Sequence, residues 1–149
     1  MSKTPQMIEL PDEAATQALA HRIAPQLKIG DCLLLEGPIG AGKTAFSRAL
    51  IRARLGRMED VPSPTFTLVQ VYDDPDGDIW HCDLYRLTHP DEAFELGLEE
   101  AFETAICLVE WPDRLGKDAP KSASTLIFEA HESGHRVTIN LSDSMELVF

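Results

Sequence analysis

At 149 residues and 16.5 kDa, with 44% hydrophobic and 26% charged residues, the chain has the size and composition of one soluble globular domain spanning residues 1–149. No apolar run approaches the ~20 residues of a membrane-spanning helix, and residues 1–6 carry no secretory or organelle signal, so the expected setting is the cytoplasm, with no membrane partner. Thirteen basic against 25 acidic residues give a net charge of −12, a field that repels phosphodiester backbones and disfavours autonomous nucleic-acid binding.

Pro11, Asp12 and Glu13 open a helical pattern through Ala15, Leu19 and Ile23 that ends near Pro25. Gly30 and Asp31 turn the chain into Cys32, Leu33, Leu34 and Leu35, a continuous apolar run of the kind found in strands buried on both faces. A glycine-rich loop follows, and the pattern from Lys43 to Leu55 predicts a helix closed by Gly56. Arg48, Arg52, Arg54 and Arg57 read as the solvent face of that helix, with a local basic patch as the alternative. Pro62 and Pro64 mark a loop; Thr67 to Tyr72 and Ile79 to Asp83 read as a hairpin around the turn at Asp74, Pro75 and Gly77. A short helical stretch from Pro90 breaks at Gly97, and Ile106 to Val109 forms another buried strand ending at Glu110. Ser124 to Glu132 and His135 to Leu141 flank a terminal hairpin, whose His131 and His135 complete no metal-ligand spacing. The tail from about residue 143 has no assigned place. Cys32, Cys82 and Cys107 lie far apart inside apolar runs and read as buried, reduced thiols.

The loop Gly37, Pro38, Ile39, Gly40, Ala41, Gly42, Lys43, Thr44 matches GxxxxGK[ST] without substitution, between a buried strand and an amphipathic helix. Glycines let backbone N–H groups wrap a phosphate, the helix start adds partial positive charge, and Lys43 adds a full one; Ala45 continues the cradle into the helix. The pattern implies ATP, with Thr44 as a ligand of Mg²⁺. A carboxylate at the end of a neighbouring strand should complete the metal site. Glu110 and Asp83 are the candidates, each with capping of a turn as the alternative, and Thr65 is a candidate sensor of the terminal phosphate.

The GxxGAGKT loop, SPTFTLVQVY from Ser63, HCDLYRL from His81 and LVEW from Leu108 together resemble the bacterial TsaE (YjeE) ATPase family, over residues 10–112. The resemblance implies a small three-layer α/β domain of P-loop NTPase type with a central mixed sheet. It implies an ATPase of tRNA threonylcarbamoyladenosine synthesis, acting through a TsaD-like transferase and a TsaB-like partner and meeting tRNA only indirectly. Carried onto this sequence, it assigns phosphate binding to Lys43, Mg²⁺ to Thr44 and Asp83, metal or water activation to Glu110, a switch-like role to Thr65, and a flanking position to Trp111. The chain departs from the family's common pattern at Pro38, Ile39, Ala45 and Cys82; Pro38 lacks an N–H, which bears on affinity and removes no reacting group. The rival readings are a small-molecule kinase, whose lid Arg114 and Lys117 would seed, and a nucleotide-binding scaffold without turnover.

Overall fold

A computed structural model describes every residue except 1–3, 39, 40, 58, 59, 63, 65–67 and 133. Seven strands form one sheet: β1 (Gln6–Leu10), β2 (Cys32–Glu36), β3 (Val69–Tyr72), β4 (Ile79–Asp83), β5 (Ile106–Glu110), β6 (Ser124–His131) and β7 (Gly134–Asn140). Their order is β1-β7-β6-β2-β5-β4-β3. The inner strands β6, β2, β5 and β4 run parallel, whereas β7, β1 and β3 join antiparallel at the edges. The central strands β2 and β5 are apolar up to their terminal glutamates because both of their faces are covered.

One face packs on α1 (Glu13–Ile23) and α2 (Lys43–Leu55), through a core that includes Leu19, Ile23, Phe46, Leu50, Leu33, Leu35 and Leu108. The other packs on α3 (Asp91–Glu95), α4 (Leu98–Thr104) and the 3-10 helix Pro112–Asp118, around the three cysteines, Val109, Leu98, Ala101 and Leu115. Period-two alternation along β5 divides the faces: Ile106 and Leu108 join the first core, Cys107 and Val109 the second. The expected three-layer arrangement with a mixed central sheet is therefore the one observed.

Asp12 caps α1, its Oδ1 accepting from the Ala15 N–H at 2.9 Å, and Gly56 closes α2 in the left-handed region at φ 68°. Arg54 does not face solvent. Its side chain is 7% exposed, pairs with Asp74 at 2.8 Å, and donates to the carbonyls of Ala24 and Leu27. Arg48 likewise turns inward, Nε donating to the Val61 carbonyl at 3.2 Å. The tail docks on its own domain: Met145 and Leu147 enter the first core, and Gln26 brackets the Val148 backbone with two hydrogen bonds. The three cysteines are buried and unbridged. No helix among the described residues is long and apolar enough to cross a membrane.

Candidate active site

The carboxyl ends of β2, β5 and β4 converge, since Leu35 and Asp83 both pair with Glu110 across the parallel ladders. Open parallel sheets bind ligands at this edge. The chain leaves β2 at Gly37, whose φ of 138° suits glycine alone and whose side a Cβ would drive into the Phe128 carbonyl oxygen. It re-enters regular structure at Gly42, the left-handed first cap of α2.

Unlike α1, α2 has no side-chain cap and no acid in its first turn. The first N–H groups of a helix have no partner within it, and the helix dipole favours an anion there. Lys43 completes the arrangement. It is 4% exposed, its Nζ donates to the Gly37 carbonyl at 2.6 Å, and it lies 3.6 Å from the centroid of the Trp111 ring. Burial lowers the pKa of this ammonium, while the nearby carboxylates of Glu110, Asp83 and Asp113 oppose that shift.

Glu110 is 2% exposed, with a donor for each oxygen: Thr44 Oγ1 lies 3.3 Å from Oε1 and His81 Nε2 lies 2.7 Å from Oε2. Asp83, 5% exposed, accepts from the Tyr85 N–H at 3.0 Å, so it caps the turn and also faces the cradle as one of the charges acting on Lys43. Thr44, Glu110 and Asp83 thus offer one hydroxyl and two carboxylates, an oxygen donor set that suits Mg²⁺. No cluster of three or more His, Cys, Asp or Glu residues able to hold a metal occurs among the described residues.

Trp111 adopts φ 60° and ψ 52°, an uncommon conformation for an aromatic residue and the kind that marks functional turns. It packs on Tyr85 with ring centroids 4.9 Å apart, and Arg114 lies 5.9 Å from the Tyr85 ring. Of the expected site residues, the fold brings together Gly37, Gly42, Lys43, Thr44, Asp83, Glu110 and the flanking Trp111. Pro38 and Ala41 form the described turn of the loop, the Ala41 N–H donating to the Pro38 carbonyl at 3.2 Å. Ile39, Gly40 and Thr65 lie outside the described residues.

Sequence reasoning assigned nothing to His81, which is fully buried. Its signal was alternation: in an otherwise apolar strand, His81 and Asp83 are two apart and share a face.

A strand, a glycine turn and an uncapped helix on a mixed sheet, with carboxylates at the ends of adjacent parallel strands, define an α/β protein of P-loop type. The model of the family described as "Threonylcarbamoyl adenosine biosynthesis protein TsaE" matches residues 10–138, and the chain belongs to that family. The tRNA threonylcarbamoyladenosine biosynthesis protein TsaE of Rickettsia typhi is 42% identical over 107 residues, covering 72% of this chain and 74% of its own. The protein of the same name from Bacillus subtilis is 38% identical over 115 residues, covering 76% and 71%. The crystal structure of Bacillus subtilis YdiB superposes with a TM-score of 0.75 at 30% identity, over 95% of this chain and 88% of that one.

Proposed function

We propose that this chain binds Mg²⁺-ATP at the start of α2 and hydrolyses it, as the nucleotide-driven component of threonylcarbamoyladenosine synthesis on tRNA. It works in the cytoplasm through TsaB-like and TsaD-like partners and meets tRNA only through them. One observation carries the reading: Lys43 and Thr44, at the mouth of an uncapped helix, meet the strand-end carboxylate of Glu110, 3.3 Å from the Thr44 hydroxyl.

Lys43 would place its ammonium on the terminal phosphate, and the N–H groups opening α2 would bind the phosphate oxygens next to it. Thr44, Asp83 and Glu110 would hold Mg²⁺, which supplies charge neutralisation between the phosphates when bound. Glu110 Oε1 would accept a hydrogen bond from the attacking water and orient it, with a switch-like role for Thr65. Trp111, packed over Lys43, would exclude bulk water from the ammonium. Attack of that water on the terminal phosphorus breaks its bond to the bridging oxygen and releases ADP and phosphate. Turnover is slow alone and rises with partners, since a partner that adds positive charge at the terminal phosphate would stabilise the charge of the transition state.

The test is phosphate release from ATP by the purified chain, alone and with TsaB-like and TsaD-like proteins plus tRNA. Glu110→Gln should retain nucleotide and lose at least ~100-fold in turnover, whereas Lys43→Ala should weaken nucleotide binding ~10-fold or more. Undiminished hydrolysis by Glu110→Gln removes that carboxylate from the role. Phosphate transfer to an added small molecule would instead favour a kinase, and binding without hydrolysis in any mixture a scaffold.

A further inference from the structure

On the sheet face opposite α2, a groove of about 370 Å³ lies between α3, α4 and the 3-10 helix. Its floor is apolar: Leu98 and Leu115 are each 1% exposed, and Phe94, also lining the groove, is 69% exposed. An aromatic side chain so exposed beside an apolar cavity is a common feature of binding surfaces. The rim is acidic, with Asp91, Glu95, Glu99 and Asp118, and no Lys or Arg lines the groove among the described residues.

We propose that this groove docks a partner protein, which inserts an apolar side chain flanked by lysines or arginines between Phe94 and Leu115. The apolar floor calls for a hydrophobic anchor, and four carboxylates around it call for cations on either side of that anchor. RNA and anionic lipid headgroups would meet like charge here, and a second copy would bring a further net charge of −12 to the same rim.

The groove also connects to the cradle. Leu115 and Asp118 belong to the 3-10 helix that begins directly after Trp111, the residue covering Lys43. A partner seated against Leu115 therefore bears on the segment that carries Trp111, which gives partner binding a short physical route to the phosphate site. In this respect the inference rests on the reading that the chain acts through protein partners.

The test uses a Leu/Lys peptide as probe, titrated into isotope-labelled full chain, and a Phe94→Ser/Glu95→Lys/Glu99→Lys variant whose changed residues are all exposed. Chemical-shift changes should centre on Leu98 and Leu115 in the wild-type chain, fade at 0.5 M salt, and weaken ~10-fold or more in the variant. Nucleotide affinity should be the same in both proteins. No shift at the groove with millimolar peptide, or an equal response from the variant, overturns the proposal. A second arm measures binding of purified TsaB-like and TsaD-like proteins to both chains. If the peptide occupies the groove and the wild-type chain binds neither protein, the docking site stands and the assignment of those partners falls. If they bind the variant as tightly as the wild type, the groove is not where they dock and the proposal fails.

Discussion

A carboxylate buried as deeply as Glu110 is tolerated as an anion only when its oxygens find donors, and here the donors come from two different elements. Thr44 approaches from α2 at 3.3 Å; His81 approaches from β4 at 2.7 Å and is the tighter partner. His81 therefore fixes the direction in which Oε1 faces the cradle. Its Nδ1 is buried with no hydrogen-bond partner among the described residues, so the ring's polar contact runs through Nε2 to Glu110. His81→Leu should destabilise the fold by about 1–3 kcal/mol by leaving Glu110 Oε2 unsatisfied, and His81→Gln, which keeps an N–H donor of similar reach, should recover part of that loss. Urea unfolding of the three proteins checks this. Equal stability of the Leu variant and the wild type would mean that the contact contributes nothing.

Arg54 performs a comparable task between elements. It joins the end of α2 to the carbonyls of Ala24 and Leu27 beyond α1 and to Asp74 in the β3–β4 turn, and the ion pair is 7% and 4% exposed on its two sides. Asp74 also accepts the Asp76 N–H at 3.2 Å, so the carboxylate holds the turn and the arginine holds the carboxylate. Arg54→Ala should cost about 3–5 kcal/mol, because it strands a buried charge and two carbonyls, and a double-mutant cycle with Asp74→Asn should return a coupling well above that of a surface pair. Thermal melts within measurement error of one another would place the pair in solvent instead. Sequence periodicity could not see this residue turn inward, since an arginine on a helix looks exposed unless its distant partner is known. The limits of α2 were legible for the opposite reason: Gly42 and Gly56 are local stop signals on either side of it. Strand β1 and helix α4 were not. β1 is an exposed edge strand defined by its pairing with β7 some 130 residues away, and α4 resumes after Gly97, which reads as a terminus but serves as its left-handed first cap. The positions of Lys43 and Thr44 at the start of α2 and of Asp83 and Glu110 at strand ends were legible from a spaced motif and from where apolar runs stop, whereas the His81 contact depends on the register of β4 with β5.

Across the whole molecule, the sheet face that carries the cysteines determines how stability responds to alkali. Cys32, Cys82 and Cys107 lie on the three adjacent strands β2, β4 and β5, and burial raises all three thiol pKa values, that of Cys107 to about 12. In the unfolded chain they titrate near ~8.5. Above that pH the unfolded state sheds protons that the folded state keeps, so the stability these thiols contribute is full below ~8.5 and declines as pH rises, by up to ~1.4 kcal/mol per unit for each thiol. For Cys107 the decline continues to about 12. Lys43 acts in the opposite sense: its pKa is lowered by burial, so between its folded value and the ordinary lysine range the unfolded chain binds more protons and stability rises with pH. One lysine opposes three thiols, and the thiols prevail. The urea midpoint should therefore fall between pH 8 and pH 10, and Cys107→Ala, whatever its stability at pH 7, should show a shallower fall. Parallel slopes for the two proteins would mean that the Cys107 thiolate is solvated in the folded chain, and that the second core is wetter than its packing around Leu98, Ala101 and Leu115 implies.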